Sequence, residues 1–276
     1  MKEQELRIKL RQLAKDLGLR TPEVQMLLCQ ERFLARLGSI AEGAAFIWKG
    51  GSLILRLYRT EGLPRYTIDV DFSVSGISAG YIRSVLEKAI AVDLQDGFVF
   101  TSITAQPMER DLPYGGDRYE LDWTFFSKQG SRKLKIDACA GDVVVPNIVT
   151  TSEAFLLPIA AENMELRVYP KEFVFAEKLE TIARFRTGNT RCKDFIDIWM
   201  LIQSGVDEQA LSKAIRMCFT NRGTSFSVED LCAILADKLF QERLETHRKR
   251  HFAELAVPDI KRMLADISQL LKSLKL

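Results

Sequence analysis

Two nearby stretches decide how the chain reads: Lys49-Gly50-Gly51-Ser52-Leu53-Ile54-Leu55-Arg56 and Arg65-Tyr66-Thr67-Ile68-Asp69-Val70-Asp71-Phe72. Phe46-Ile47-Trp48 has the composition of a short strand, Gly50-Gly51 breaks it, and Ser52 to Arg59 is a helical run. A strand that ends in Gly-Gly and turns into a helix presents unpaired backbone N–H groups at the helix start. The missing Cβ atoms let a phosphate come close. In the second stretch Ile68, Val70 and Phe72 alternate with Asp69 and Asp71. The two carboxylates therefore project from one face of a strand, about 6.5–7 Å apart by strand rise. Both can then reach Mg²⁺ ions that bridge triphosphate oxygens. Taken singly, each half also fits a plain turn or a solvated strand edge.

Outward from this centre, the pattern is mixed on one side and helical on the other. Leu6 to Leu17 and Val24 to Leu37 carry helical stripes, the second opened by Thr21-Pro22-Glu23 with Thr21 as N-cap and Pro22 at the first helical position. Tyr66 to Val74, Phe98 to Thr104, Tyr119 to Phe126 and Lys133 to Cys139 read as strands, and Ile82 to Val92 as an amphipathic helix. From Pro170 onward the periodicity is helical: 172–185, 193–202, 208–218, 228–239 and a long segment from 241 to 275. Ser227-Val228-Glu229-Asp230 caps one of these helices. The expected organisation is a mixed α/β (α+β) body over 1–168 and a helical C-terminal domain over 169–276 that contributes to the site.

Composition excludes several classes. The 276 residues are 47% hydrophobic and 28% charged, as in an ordinary globular protein, and no apolar run nears the ~20 residues of a membrane helix. The charged start Met1-Lys2-Glu3-Gln4-Glu5 lacks the apolar core of a secretory signal, so the expected location is the cytoplasm. Five cysteines without a Cys-x-x-Cys pair offer no zinc or dithiol centre, and His247-Arg248-Lys249-Arg250-His251 lacks the Glu of a zincin helix. The net charge of +2 rules out a polybasic arm but hides a cancellation. Residues 1–60 carry 11 basic and 6 acidic side chains, and residues 61–160 carry 9 and 14. An acidic strand region flanked by basic helices suits metal ions inside and a polyanion outside.

A further acid, Asp137 in Leu134-Lys135-Ile136-Asp137-Ala138, lies on a later strand. A sheet that pairs this strand with the Asp69–Asp71 strand would complete a three-carboxylate cluster around two metals. A surface strand acid is the alternative.

With Gly-Ser at a helix start and Asp-x-Asp on the next strand, the chain resembles the nucleotidyltransferase superfamily that includes DNA polymerase beta. More narrowly, four ordered blocks resemble the AbiEii toxin family of type IV toxin–antitoxin and abortive-infection systems. They are Lys49-Gly50-Gly51-Ser52 with Leu55-Arg56; Arg65-x-Thr67-x-Asp69-Val70-Asp71-Phe72; Glu177-Lys178-Leu179 with Ala183; and Arg191-Cys192-Lys193-Asp194-Phe195-Ile196-Asp197-Ile198. Lys193 stands where Arg is common in the family. The resemblance implies a polymerase-beta-like mixed sheet with flanking helices and an NTP-dependent transferase using Mg²⁺ or Mn²⁺. The acceptor it implies is RNA, at the tRNA 3′ end, with a cognate winged-helix-type antitoxin as partner.

By the same resemblance, Asp69 and Asp71 hold metal, with Asp137 a candidate third ligand that is less regular among these toxins than in polymerases, and Gly50, Gly51 and Ser52 cradle the β- and γ-phosphates. Arg56 and Thr67 lie with the nucleotide, Lys178 reaches the triphosphate, and Asp194 orients Lys178 or helps the acceptor hydroxyl lose its proton. Asp197, one turn further on, is open to a structural role beside a neighbouring arginine. Lys49, Arg184, Arg186 and Arg191 are candidate RNA contacts; any one such charge also fits a solvated face. Nucleotidylation of a small molecule or protein, and a non-catalytic NTP-binding module, are the competing readings.

Overall fold

The computed structural model describes residues 3–57, 66–108, 115–130, 132–143, 145, 149–151, 165–189, 191–253 and 257–276. Arg59 and Arg65 lie outside the described residues. Two compact units emerge, one formed by Met1–Leu57 with Pro64–Tyr169 and one by Tyr58–Leu63 with Pro170–Leu276. Among the described residues no helix is long and apolar enough to cross a membrane.

The first unit is the expected mixed α/β fold. Its helices are α1 (Glu3–Asp16), α2 (Thr21–Gly38), α3 (Gly50–Leu57) and α4 (Ala79–Ala91). Its strands are β1 (Ile47–Lys49), β2 (Asp69–Ser73), β3 (Phe98–Pro107), β4 (Gly116–Phe125), β5 (Lys128–Gln129), β6 (Leu134–Cys139), β7 (Val149–Thr151) and β8 (Leu166–Val168). They form one sheet in the order β3-β4-β6-β2-β1-β8-β7, with β5 paired to β4. β2 runs parallel to β6 and antiparallel to β1, and β4 runs antiparallel to both β3 and β6.

Period-2 alternation sorts the side chains onto two faces. Trp48, Val70, Phe72, Tyr119, Leu121, Trp123 and Ile136 are buried on one face. There the Phe72 ring meets Phe46 edge-on at 5.4 Å and Phe33 of α2 at 6.5 Å. Burying an aromatic or large aliphatic side chain contributes roughly 1.5–3 kcal/mol. A one-residue slip of β2 would turn Phe72 outward, so the apolar residues fix the face that Asp69 and Asp71 occupy.

Helix α2 begins at Thr21, but Arg20, not Thr21, is its N-cap residue. The Arg20 backbone N–H donates to Glu23 Oε2 at 2.8 Å and its guanidinium to Glu23 Oε1 at 2.6 Å. Charge pairing thus replaces the hydroxyl cap that Thr21-Pro22 suggests.

The second unit is helical: α5 (Lys171–Phe185), α6 (Cys192–Gln203), α7 (Glu208–Asn221), α8 (Val228–Ala236), α9 (Lys238–His251) and α10 (Ile260–Ser273). Two expectations fail here. The helix expected over 228–239 ends at Ala236, because Asp237 adopts extended angles and its side chain accepts from Phe240 N, starting α9. The long segment expected from 241 to 275 is likewise two helices. Asp259, following Pro258, caps α10 by accepting from Arg262 N at 2.8 Å. In both cases an aspartate N-cap competes successfully with helical continuation.

Candidate active site

Cross-strand register assembles a charged row on the sheet face opposite the aromatic core. Lys49 lies opposite Asp71, Asp71 opposite Asp137, and Asp137 opposite Arg118. Four strands thus place a cation, two acids and a cation side by side. Asp69, two residues along β2, shares the face and pairs with Lys135. Both Asp69 and Asp71 are partly exposed.

The sequence reading missed Arg118. Its Nε donates to Asp137 Oδ1 and its Nη2 to Asp137 Oδ2, each at 2.7 Å, a bidentate charge-assisted pair. Asp137 foremost, then Asp69 and Asp71, hold the Arg118 guanidinium more firmly protonated than usual, against a smaller opposing effect of burial. The alternation Arg118-Tyr119-Glu120-Leu121 signals which face Arg118 takes. Its opposition to Asp137 is set by register, which a single sequence does not carry.

This pair corrects the expected three-carboxylate metal cluster. Both Asp137 oxygens are taken by Arg118, and among the described residues no group of three or more His, Cys, Asp or Glu side chains could hold a metal ion. Asp137 is therefore an arginine clamp in this structure.

At the β1–α3 junction, Gly50 has φ +75°, and a Cβ there would lie 2.0 Å from Asp71 Oδ2. The glycine is required by the approach of the Asp71 carboxylate as well as by the turn. Ser52 is buried, and its hydroxyl accepts the Trp48 indole N–H at 2.8 Å, tying strand to helix. Thr67 sits ahead of β2 with its carbonyl accepting from Gln30 at 2.9 Å.

Two arginine and lysine expectations are overturned in this unit. The Arg56 side chain is fully buried and bonds to the Ser52 and Leu27 carbonyls, Gln30 and Glu31 at 3.0–3.2 Å. It braces α3 against α2 from inside the core and is not presented to a nucleotide. Lys49 is 5% exposed, with Nζ 2.6 Å from Asp142 Oδ2 and 5.6 Å from the centre of the Tyr169 ring. A buried, carboxylate-paired ammonium is not an RNA-tracking surface charge, so that role is withdrawn.

In the second unit Lys178 of α5 lies between two acids of α6. Its Nζ is 3.0 Å from Asp194 Oδ1 and 2.7 Å from Asp197 Oδ2. Asp197 thus partners Lys178. Arg191 Nε lies 2.9 Å from Asp194 Oδ2. Burial alone would raise the Asp194 carboxyl, but Lys178 and Arg191 outweigh it and hold it below its ordinary range.

A second network surrounds Glu180, which is fully buried. Arg222 Nη1 approaches it at 2.9 Å, the Thr224 hydroxyl at 2.6 Å and Arg184 Nε at 3.4 Å. Arg184, expected to contact RNA, is drawn into this network. Arg186 and Arg191 remain at the surface.

The family described as "Nucleotidyl transferase AbiEii toxin, Type IV TA system" matches residues 32–273, most of the chain. Two crystal structures from Helicobacter pylori share the fold. One, of JHP933, is 16% identical with a TM-score of 0.52 and covers 89% of this chain and 90% of its own. The other, described provisionally as a nucleotidyltransferase, is 15% identical with a TM-score of 0.54 and covers 92% and 95%. No curated protein matches the chain significantly.

Proposed function

The chain belongs to the AbiEii nucleotidyltransferase toxin family of type IV toxin–antitoxin systems, and from that premise we propose that it transfers a nucleotidyl group from an NTP to an RNA acceptor. The acceptor in this reading is the tRNA 3′ end. Its modification blocks translation until a cognate antitoxin of winged-helix type neutralises the protein.

The observation that carries the reading is the half-open acidic face. Asp69 and Asp71 project together from β2, with the Gly50 backbone pressed against the Asp71 carboxylate where a Cβ would not fit. Hard carboxylate oxygens on a solvent-reachable face fit Mg²⁺ or Mn²⁺, which is retained with substrate phosphates and water rather than in an all-protein cage. That no complete protein-only cage is found among the described residues is compatible with such a site. When bound, the ion supplies charge neutralisation for the triphosphate.

The chain's own groups do the rest. Backbone N–H groups of Gly50, Gly51 and Ser52 at the start of α3 receive the β- and γ-phosphates. Thr67 flanks the nucleotide at the entry to β2. An acceptor hydroxyl attacks the α-phosphorus, the bond to the β-phosphate bridging oxygen breaks, and pyrophosphate leaves as the hydroxyl proton is lost to solvent. Within the second unit, Lys178 is the candidate phosphate-binding cation that the family resemblance assigns. Asp194, already ionised and paired, holds Lys178 in place and is poorly suited to take a proton. Arg186 and Arg191 supply surface charge for the RNA.

The test is to incubate the protein with each α-labelled NTP, Mg²⁺ and total tRNA. Label on tRNA with at least one NTP is expected. Label on the protein or an added hydroxyl compound, with none on RNA, would move the acceptor to another class. No transfer to any acceptor would leave a binding module.

A further inference from the structure

We propose that Arg118 contacts the acceptor strand, its free guanidinium edge gripping a phosphodiester of the RNA whose terminal hydroxyl attacks. This deepens the nucleotidyl-transfer reading and rests on it.

Topology gives the first step. In the order β4-β6-β2-β1, Gly50 follows β1 on one side of the Asp69–Asp71 strand, and Arg118 on β4 lies on the other. Nucleotidyl transfer needs the attacking and leaving oxygens roughly in line through the phosphorus. With the leaving pyrophosphate on the α3 side of β2, the acceptor comes from the β6–β4 side. Arg118 sits two strands away from Asp71, about 10 Å at ordinary strand spacing, on the side from which the acceptor arrives.

Donor arithmetic gives the second step. A guanidinium has five N–H donors. Arg118 spends one edge, Nε and Nη2, on Asp137, and no hydrogen bond from its Nη1 is found among the described residues. Its side chain is 34% exposed, whereas the Arg32, Arg36 and Arg56 side chains are at most 1% exposed. Asp137, itself 11% exposed, is the positioning residue: it fixes the fork so that the remaining edge faces outward. An oriented guanidinium edge matches the paired oxygens of a phosphodiester.

The measurement is fluorescence anisotropy of 5′-labelled tRNA and of a single-stranded RNA 12-mer across a salt series, for wild type, Arg118→Gln, Arg118→Lys and Asp137→Asn. Binding of α,β-methylene NTPs by calorimetry runs alongside. Arg118→Gln should weaken RNA binding roughly tenfold and lower the slope of log affinity against log salt by about 1. Its NTP-analogue affinity should stay within about twofold of wild type. Arg118→Lys should restore the salt slope but only part of the affinity, because it lacks the fork. Asp137→Asn should keep the slope and lose roughly threefold in affinity. An unchanged salt slope in Arg118→Gln, or equal losses for RNA and NTP analogue, would overturn the proposal. A wild type that binds the analogues but no RNA would overturn it while leaving nucleotidylation of another acceptor standing. A wild type that binds neither would remove the transfer reading itself.

Discussion

Two arginine–aspartate pairs in the first unit use the same chemistry to opposite ends. Arg36 spends all five N–H donors: Nε on the Val92 carbonyl, Nη1 on Asp96 and the Arg32 carbonyl, and Nη2 on Asp96 and the Phe98 carbonyl. Arg32 adds a further bond to Asp96 at 2.7 Å, and the three side chains are 1–3% exposed. Arg118 spends one edge on Asp137 and stands one-third exposed, two strands from Asp71. The first pair is saturated and sealed and stitches α2 to the segment before β3. The second is clamped but unsaturated, the condition a ligand-binding cation needs. Donor saturation, more than charge or residue type, separates the two arginines.

The comparison breaks most readily at the acidic face. Asp71→Asn and Asp69→Asn should cut nucleotide transfer by on the order of 10³-fold or more. The same changes should move the urea midpoint little, since the carboxylates are partly exposed and solvent screens their charges. The sealed pair should behave in the reverse way. Asp96→Asn or Arg36→Met should cost about 3–5 kcal/mol in urea unfolding by stranding a buried charge, while the protein that remains folded binds NTP analogues as wild type does. Equal stability losses for the two sets would erase the distinction.

Gly50→Ala tests the join between fold and site. A side chain at φ +75° and 2.0 Å from Asp71 Oδ2 should cost about 1–3 kcal/mol and weaken NTP-analogue binding, leaving RNA affinity unchanged. The smallest effect lies in the second unit. Arg248, and the Ile260 N–H at the start of α10, lower the Glu245 carboxyl to about 2. A depressed folded-state value means that this stabilisation is complete above the ordinary glutamate range and is lost as pH falls from there to about 2. Glu245→Gln should flatten that part of the acid-unfolding profile in a circular-dichroism pH titration, with little change at neutral pH.

Local signals were legible in the chain and non-local ones were not. The β1–α3 turn and the Asp-x-Asp strand could be read because glycine conformation and period-2 alternation act over a few residues. The α8–α9 boundary and the α9–α10 break are equally local: the capping Asp237 moves the first by a few residues, and the capping Asp259 divides a segment whose apolar periodicity reads as continuous. Arg56 and Lys49 were misplaced for another reason. A basic residue looks the same in sequence whether it lies at the surface or among buried acceptors, and Glu31, Gln30 and Asp142 lie far along the chain from the cations they hold. Arg118 needed strand register, which joins positions 118, 137 and 71 and is set by the packing of Tyr119, Ile136 and Phe72.

The claim that the open acidic face performs metal-dependent nucleotidyl transfer is tested most directly by comparing wild type and Asp71→Asn at equal concentrations of folded protein. Both would be given α-labelled NTPs and tRNA, with Mg²⁺ and with chelator. The account predicts label on tRNA for wild type with Mg²⁺ alone and none for the variant. Transfer that persists in Asp71→Asn, or in chelator, would contradict it.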